Sequence, residues 1–275
     1  MGRVPLYPYK AKVPRPLYWL YRAWRVFSVA GCFAGFWTGS FFAAWLVLPL
    51  VALWPGTPAQ KLRRGLACTA FGFRVFHFSM WALRLYHRVT PTRSLRPGTE
   101  PVVIVANHPT LCDVTSIVSL FPNTIAIAGL AFANNPLIAR AVRMCGFVPA
   151  DTNVLAHCEA RLRMGFDVLV FPEGTRSPVD GPLHPFHRGA FELAKRTNAK
   201  LVLVKLVCEP TALSKRLPIW KVADETAVLS IEPFDVIDPA RYADSRAMAR
   251  AVEQRYRDLL DPAVAEQRAV ASAGS

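Results

Sequence analysis

Two hydrophobic patterns divide the chain. From Val26 to Trp54 apolar residues run without one charged side chain, which exceeds the roughly 20 residues that cross a bilayer core. Tyr18, Trp19, Tyr21 and Trp24 precede the run and Trp54 closes it, as an aromatic belt does at a membrane boundary. Gly31, Gly35 and Gly39 recur at every fourth position. They put a smooth stripe on one helix face, open to a second copy or to the next helix. That next helix is predicted to start at Thr57, a capping residue followed by Pro58, and to run to about His87. It is apolar except for Lys61, Arg63, Arg64, Arg74, His77 and Arg84. An arginine as central as Arg74 costs roughly 2.5–3.5 kcal/mol in a true span. Two arrangements stay open: a single crossing, or a re-entrant pair at the interface with Arg74 reaching the headgroups. The second accords better with basic residues at both ends of the apolar run.

From Gly98 onward short apolar runs alternate with helical periodicity. The strands expected are Val102–Val105, Thr124–Ala128, Val168–Phe171, Leu201–Val207 and Val228–Glu232. The helices expected are Asp113–Leu120, Pro136–Met144, Val154–Arg163, Gly189–Arg196 and Ser245–Leu260. Alternation of this kind predicts an α/β fold with a mostly parallel central sheet flanked by helices, preceded by the hydrophobic helix pair for membrane attachment. The organisation expected is a basic aromatic segment over 1–25, a membrane-associated pair over 26–90 and the α/β domain over 98–261. A small, polar tail is expected to be disordered over 262–275.

Charge narrows the class of partner. The formal net charge is +14, which favours an anionic surface or substrate. The basic residues are scattered, and the short nucleic-acid-binding motifs do not appear. A membrane surface is therefore the expected partner, and nucleic acid is not. The six cysteines, at 32, 68, 112, 145, 158 and 208, form no CxxC and no zinc-like spacing. Most lie in apolar runs, as buried free thiols do, and this points to a reducing, cytoplasmic setting.

Two stretches carry candidate chemistry. In "VVIVANHPTLCDVTSI" a buried strand ends at Asn107-His108, and Asp113 opens the following helix. If the intervening loop folds back, a carboxylate on one imidazole nitrogen fixes the tautomer while the other nitrogen takes a proton from a hydroxyl. The plainer alternative is a loop-capping histidine and a helix-capping aspartate. Cys112 is a poor nucleophile beside Asp113, since an adjacent carboxylate raises a thiol pKa. In "VLVFPEGTRSP" a strand ends at Phe171, Pro172 stops it and Gly174 permits a tight turn. Glu173 and Arg176 are then displayed at the strand end. Arg176 suits a phosphate through its planar fork of donors, and Glu173 either holds Arg176 or accepts from a substrate hydroxyl. The alternative is a turn with a local ion pair. In a parallel sheet both stretches lie at carboxyl ends of strands, where sites gather.

Together these residues resemble the glycerolipid acyltransferase family, typified by 1-acylglycerol-3-phosphate acyltransferases. Asn107, His108 and Asp113 match its first motif, N-H-x-x-x-x-D, and Phe171 to Ser177 match F-P-E-G-T-R-S residue for residue. "NNPLIARAVRMCGFVPADT" and "FHRGAFELAKRTNAKLVLV" are similar to two further family blocks. The resemblance implies a membrane-associated O-acyltransferase whose co-substrate is acyl-CoA or an acyl carrier protein, with no metal and no bound cofactor. His108, oriented by Asp113, would deprotonate the hydroxyl of a lysophospholipid, and Glu173, Gly174, Thr175 and Arg176 would bind that acceptor. The implied localisation is the membrane, with the α/β domain on its cytoplasmic face. The chain departs from the family at three places: Gly129 and a position near Thr152 stand where basic residues are usual, and Leu203 replaces a proline. The two missing cations leave the acceptor open between 1-acylglycerol 3-phosphate and another lyso-lipid, with Arg140, Arg143, Arg161 or Arg188 as substitutes. A thioester hydrolase and a non-catalytic lipid binder are the other readings.

Overall fold

A computed structural model describes residues 13–89, 98–136, 138–178, 182–215 and 222–260. The basic positions 3, 10 and 12 and the tail from 262 lie outside them. The first helix is α1 (Tyr18–Phe42), continued through a π-helical turn (Ala43–Val47) into α2 (Leu48–Leu53). The wide turn has a local cause. Pro49 has no N–H and its ring crowds the carbonyl four residues earlier, so the helix takes an extra residue in the turn before it. Tyr18–Leu53 is the one helix among the described residues that is long and apolar enough to cross a membrane.

The chain reverses at Trp54–Gly56 and α3 (Pro58–Ala82) runs back along α1. Its start is a capping box: Thr57 Oγ1 accepts from Gln60 N–H, and Gln60 Oε1 accepts from Thr57 N–H. The two helices meet through aromatic rings, Phe33 and Phe36 against Phe73 and Phe76. The glycine stripe does not mediate this contact. A Cβ at Gly31, Gly35 or Gly39 would meet nothing within 4 Å. The face carrying Val29, Cys32, Phe33 and Phe36 buries more apolar area, so it wins the contact.

The helix pair is not a separate layer. α3 packs on α4 (Asp113–Leu120), and Arg74, expected to reach headgroups, donates from Nε to the Ser119 carbonyl at 2.8 Å. Arg88 reaches the Ser116 carbonyl beside it. Both cations face the electronegative C-terminal end of α4. The start of α1 is latched as well. Arg22 pairs with Asp224 at 2.7 Å, Tyr21 donates to the Asp224 carbonyl, and the buried Arg25 donates to the carbonyls of Arg84 and Glu225. These arginines of the basic N-terminal segment therefore bind protein. The outer sides of the pair remain apolar and exposed, with Trp54 at 70% and Phe71 at 66%.

α3 ends earlier than the expected His87. Arg84 turns the backbone at φ 54, and β1 (Tyr86–Val89) joins the sheet. The other strands are β2 (Val103–Ala106), β3 (Thr124–Ala128), β4 (Val148–Pro149), β5 (Asp167–Val170), β6 (Leu201–Glu209) and β7 (Ala227–Ile237). Their spatial order is β1-β7-β6-β2-β5-β3-β4. All neighbours are parallel except β6 and β7. The expected mixed α/β architecture with a mostly parallel sheet is what forms. β7 runs longer than expected because it accommodates Pro233, which lacks an N–H, at an irregularity in its pairing with β6. β1 and β4 were not anticipated, nor was the short α5 (Leu130–Ala133), and α6 (Ala139–Met144) begins three residues after the expected Pro136.

Period-two alternation divides the strand residues between two cores. Val103, Val105, Val168 and Val170 face one side, with α7 (Val154–Arg163), α8 (Gly189–Thr197) and α9 (Ser245–Leu260). Ile104, Ala106 and Leu169 face the other, with α1, α3 and α4. On the first side α9 inserts a tyrosine into the sheet. The buried Tyr256 hydroxyl donates towards the Val105 and Val204 carbonyls at 2.7 and 2.9 Å and accepts from Val204 N–H at 3.0 Å. It bridges β2 and β6 where they separate.

Two outcomes follow for stability in detergent or lipid. Tyr256→Phe leaves Val204 N–H and Val105 C=O without that partner, and should cost about 1–3 kcal/mol in a denaturation titration. His77 is buried against Thr115 and Ser116. Burial first, then the neighbouring Arg88 cation, press its pKa from the ordinary 6.5 to about 3. The unfolded chain therefore takes up a proton near pH 6.5 that the folded chain refuses until about pH 3, so stability falls as pH drops through that window. His77→Gln should flatten the dependence of Tm on pH there, and an unchanged slope would show that His77 does not carry it.

Candidate active site

The site forms where β2 and β5 end. The strands are parallel neighbours in register, Val105 opposite Val170, so the chain leaves the sheet twice at the same edge. This brings the histidine stretch and the FPEGTRS stretch together. At the first exit Asn107 stands in for a further rung of sheet. Its Nδ2 donates to the Leu206 carbonyl and its Oδ1 accepts from Leu206 N–H, both at 2.8 Å. A side-chain amide with this double bond to β6 holds the next residue, His108, at a fixed height above the sheet.

His108 Nδ1 lies 2.8 Å from Asp113 Oδ2. Asp113 is wholly buried, and its carboxylate also accepts from Thr110 N–H at 2.8 Å and from Thr110 Oγ1 at 2.5 Å. The turn 108–113 therefore folds back on itself, with the carboxylate at its centre. Asp113 does not cap its helix; Cys112 holds the cap position, without a side-chain bond. Because an ionised carboxylate only accepts, Nδ1 carries the ring proton and Nε2 presents its lone pair. Nε2 has no hydrogen-bond partner among the described residues, and the imidazole keeps 19% of its surface exposed. The ring stacks on Phe171 with centroids 4.2 Å apart. Cys112 is buried, and burial followed by the charge of Asp113 holds its thiol far above the usual range, which removes it as a nucleophile.

The second stretch grips the first through main-chain atoms. Ser177 N–H donates to the His108 carbonyl at 2.8 Å, and His108 N–H donates to Ser177 Oγ at 2.9 Å. Glu173 lies inside this knot, 3% exposed. Its carboxylate accepts from Ser177 Oγ, from His108 N–H at 3.3 Å and from His184 N–H at 3.2 Å. Among the described residues Glu173 forms no ion pair with Arg176, and its carboxylate is buried against the two loops. It positions the loops. Gly174 has φ +66 and a Cβ there would sit 3.0 Å from the His187 ring, so the turn admits only glycine without strain.

A third segment, not anticipated from the sequence, completes the site. After β6 the chain crosses to both loops, and the Leu213 carbonyl accepts from Leu111 N–H and from Arg176 Nη1, each at 3.0 Å. Two residues later Lys215 Nζ donates to Thr175 Oγ1 at 2.9 Å. Thr110 is another residue that sequence reasoning missed; its position three residues before Asp113, after a proline, was the available signal. Three of the four substitute cations considered from the sequence make contacts elsewhere. Arg140 lies over the Trp45 ring, Arg161 donates to the Gly146 carbonyl, and Arg143 borders a cavity of about 240 Å³ between α2 and α3. Arg188 is exposed just before α8.

Comparison with known proteins agrees with this geometry. A family model described as Acyltransferase matches residues 87–208. A chloroplastic 1-acyl-sn-glycerol-3-phosphate acyltransferase of Brassica napus is 34% identical over 121 residues, covering 42% of this chain and 35% of that protein. A 1-acyl-sn-glycerol-3-phosphate acyltransferase of Helicobacter pylori is 25% identical over 171 residues, covering 58% of this chain and 72% of that protein. The chain spans under half the length of the Brassica napus protein, 35%, and of a chloroplastic 1-acyl-sn-glycerol-3-phosphate acyltransferase of Arabidopsis thaliana, 41%, to which it is 31% identical over 147 residues. The crystal structure of the 1-acyl-sn-glycerophosphate acyltransferase PlsC of Thermotoga maritima superposes with a TM-score of 0.64 at 20% identity, over 91% of this chain and 95% of that one, and shares its fold. The N-H-x-x-x-x-D and F-P-E-G-T-R-S residues that meet at one sheet edge both lie inside the stretch, residues 87–208, that the Acyltransferase model matches, and these similarities support the resemblance to glycerolipid acyltransferases.

Proposed function

We propose that the chain transfers an acyl group from an acyl thioester, on coenzyme A or an acyl carrier protein, to the free hydroxyl of 1-acylglycerol 3-phosphate at a membrane surface. The 2.8 Å bond between His108 Nδ1 and the buried Asp113 carboxylate carries this reading. It leaves one basic nitrogen, Nε2, on the open side of a ring that cannot rotate. That nitrogen takes the proton of the acceptor hydroxyl as the oxygen attacks the thioester carbonyl. The new C–O bond forms, the C–S bond breaks, and the imidazolium returns its proton to the departing thiolate. Asp113 stabilises the imidazolium between these two transfers.

The Thr110 and Ser177 hydroxyls are engaged by Asp113 and Glu173 and the Cys112 thiol is buried, so the acyl group passes directly from thiol to alcohol. Among the described residues Arg176 is held by one guanidinium nitrogen, on Leu213, and its remaining donors serve the acceptor's phosphate. The curated relatives are named for the same acceptor, which supports that choice over other lyso-lipids. The membrane setting rests on the apolar outer faces of α1, α2 and α3 and on the +14 charge. Both ends of the helix pair are tied to the α/β domain, so we read it as a hairpin entering one leaflet, with the domain on the cytoplasmic face.

His108→Ala should lower kcat by roughly two to four orders of magnitude in protein that circular dichroism shows to be folded, with some loss of melting temperature because the buried Asp113 loses a donor. Asp113→Asn should lose a comparable factor, because an amide can present N–H to Nδ1 and impose the wrong tautomer. Release of free fatty acid at the same rate with and without acceptor would instead identify a hydrolase. Arg176→Ala should raise KM for 1-acylglycerol 3-phosphate about tenfold or more and leave the acyl-thioester KM near its original value; equal losses for both substrates would assign Arg176 a structural role.

A further inference from the structure

Lys215 is a cation with an unusual placement. It is exposed, and no carboxylate lies within ion-pair distance of its Nζ among the described residues. Among the described residues its one hydrogen bond is to the hydroxyl of Thr175, 2.9 Å away. Thr175 is the residue next to Arg176, and Arg176 is itself bonded to Leu213, two residues before Lys215. The segment 213–215 and the turn 175–176 are thus cross-linked twice, once by the lysine of the first and once by the arginine of the second. Two cations placed together without an acid repel each other. In a folded protein such a pair is compensated by water or by an anion. The Arg176 fork retains unused donors, and an ammonium held by one hydroxyl retains two N–H groups.

The same segment is bonded to the histidine turn through Leu111 N–H and the Leu213 carbonyl. Arg176 is one residue from Ser177, which is bonded to His108 in both directions. The cation pair is therefore fixed relative to His108 by hydrogen bonds across three segments of chain. An acceptor whose hydroxyl meets Nε2 of His108 and whose anionic group reaches this pair would be held at both ends.

We propose that Lys215 is a specificity-determining residue, which together with Arg176 clamps a phosphomonoester on the acceptor and selects it over phosphodiester and uncharged lyso-lipids. This rests on the acceptor reading given above. A terminal phosphate carries up to two negative charges near neutral pH and three free oxygens, enough for a fork and an ammonium at once. A phosphodiester carries one charge and two free oxygens, and a monoacylglycerol carries none. The position explains why sequence reasoning about the cations near Gly129 and Thr152 did not find it: Lys215 reaches the site from the far end of β6.

The test compares purified full-length wild-type protein with Lys215→Gln and Lys215→Arg in lipid vesicles. The acceptors are 1-acylglycerol 3-phosphate, 1-acylglycerophosphocholine and 1-monoacylglycerol. Glutamine keeps a donor for Thr175 and removes the charge, so a purely structural lysine is rescued by it. The expected result is that Lys215→Gln raises KM for the phosphomonoester about tenfold or more, with a much smaller change in kcat, and lowers its preference over the other two acceptors by a similar factor. Lys215→Arg should restore most of that preference. Inhibition by inorganic phosphate should weaken in parallel in the glutamine variant. Wild-type preference in Lys215→Gln, with Arg176→Ala still impaired, overturns the role of Lys215 and leaves the acceptor reading intact. A wild-type protein that does not use the phosphomonoester overturns both.

Discussion

A carboxylate with no exposed surface is tolerated only if its lone pairs meet donors, since an unpaired buried charge costs several kcal/mol. Asp113 meets this condition with Thr110 N–H, Thr110 O–H and the His108 ring. One of these donors is the group on which the proposed chemistry depends. The turn 108–113 closes around the carboxylate, and in closing it determines the histidine tautomer and aims Nε2 outward. Orientation of the base and satisfaction of a buried charge are the same interaction, so the site requires no separate device to hold the ring.

The rest of the edge is arranged to keep that turn still. Tyr256 bridges β2 and β6 as they part, and the Asn107 amide takes up the next rung against Leu206. Glu173 does for the second loop what Asp113 does for the first: it is a buried acid whose oxygens are spent on main-chain N–H groups and a serine hydroxyl. Most polar groups near the sheet edge are satisfied internally; among the described residues those left over include the buried Ser214 hydroxyl, His108 Nε2, the spare donors of Arg176 and the Lys215 ammonium. A base and two cations are what a hydroxyl-bearing phosphate ester requires.

The helix pair bears on the site through packing. α3 rests on α4, the helix that begins with Asp113, and Arg74 and Arg88 bond carbonyls at the other end of α4. The apolar helix pair and the acid that orients the imidazole are therefore packed together through α4. On the proposed reading, a lipid acceptor would meet a site whose height above the apolar face is set by helix contacts and not by a linker.

Much of this was legible in the residue order. Long periodic segments such as Val154–Arg163 and Ser245–Leu260 form where their apolar spacing places them, because burying one face of a helix is a local instruction. The pairing of an imidazole with an acid five residues on is also local, and so are the capping box at Thr57 and the turn at Gly174. What the tertiary structure decided are the relations between distant segments. Tyr86–Val89 reads as the end of a helix but becomes a strand, because β7 offers a parallel partner. Arg74 looks bound for lipid headgroups but meets a carbonyl on α4. Glu173 looks displayed but is enclosed once a second loop arrives to bond it. Lys215 carries no motif at all and enters the site only because β6 ends beside it. Side-chain spacing encodes which element forms; which charges are left without a partner depends on what packs against them, and that is known only when the chain has closed.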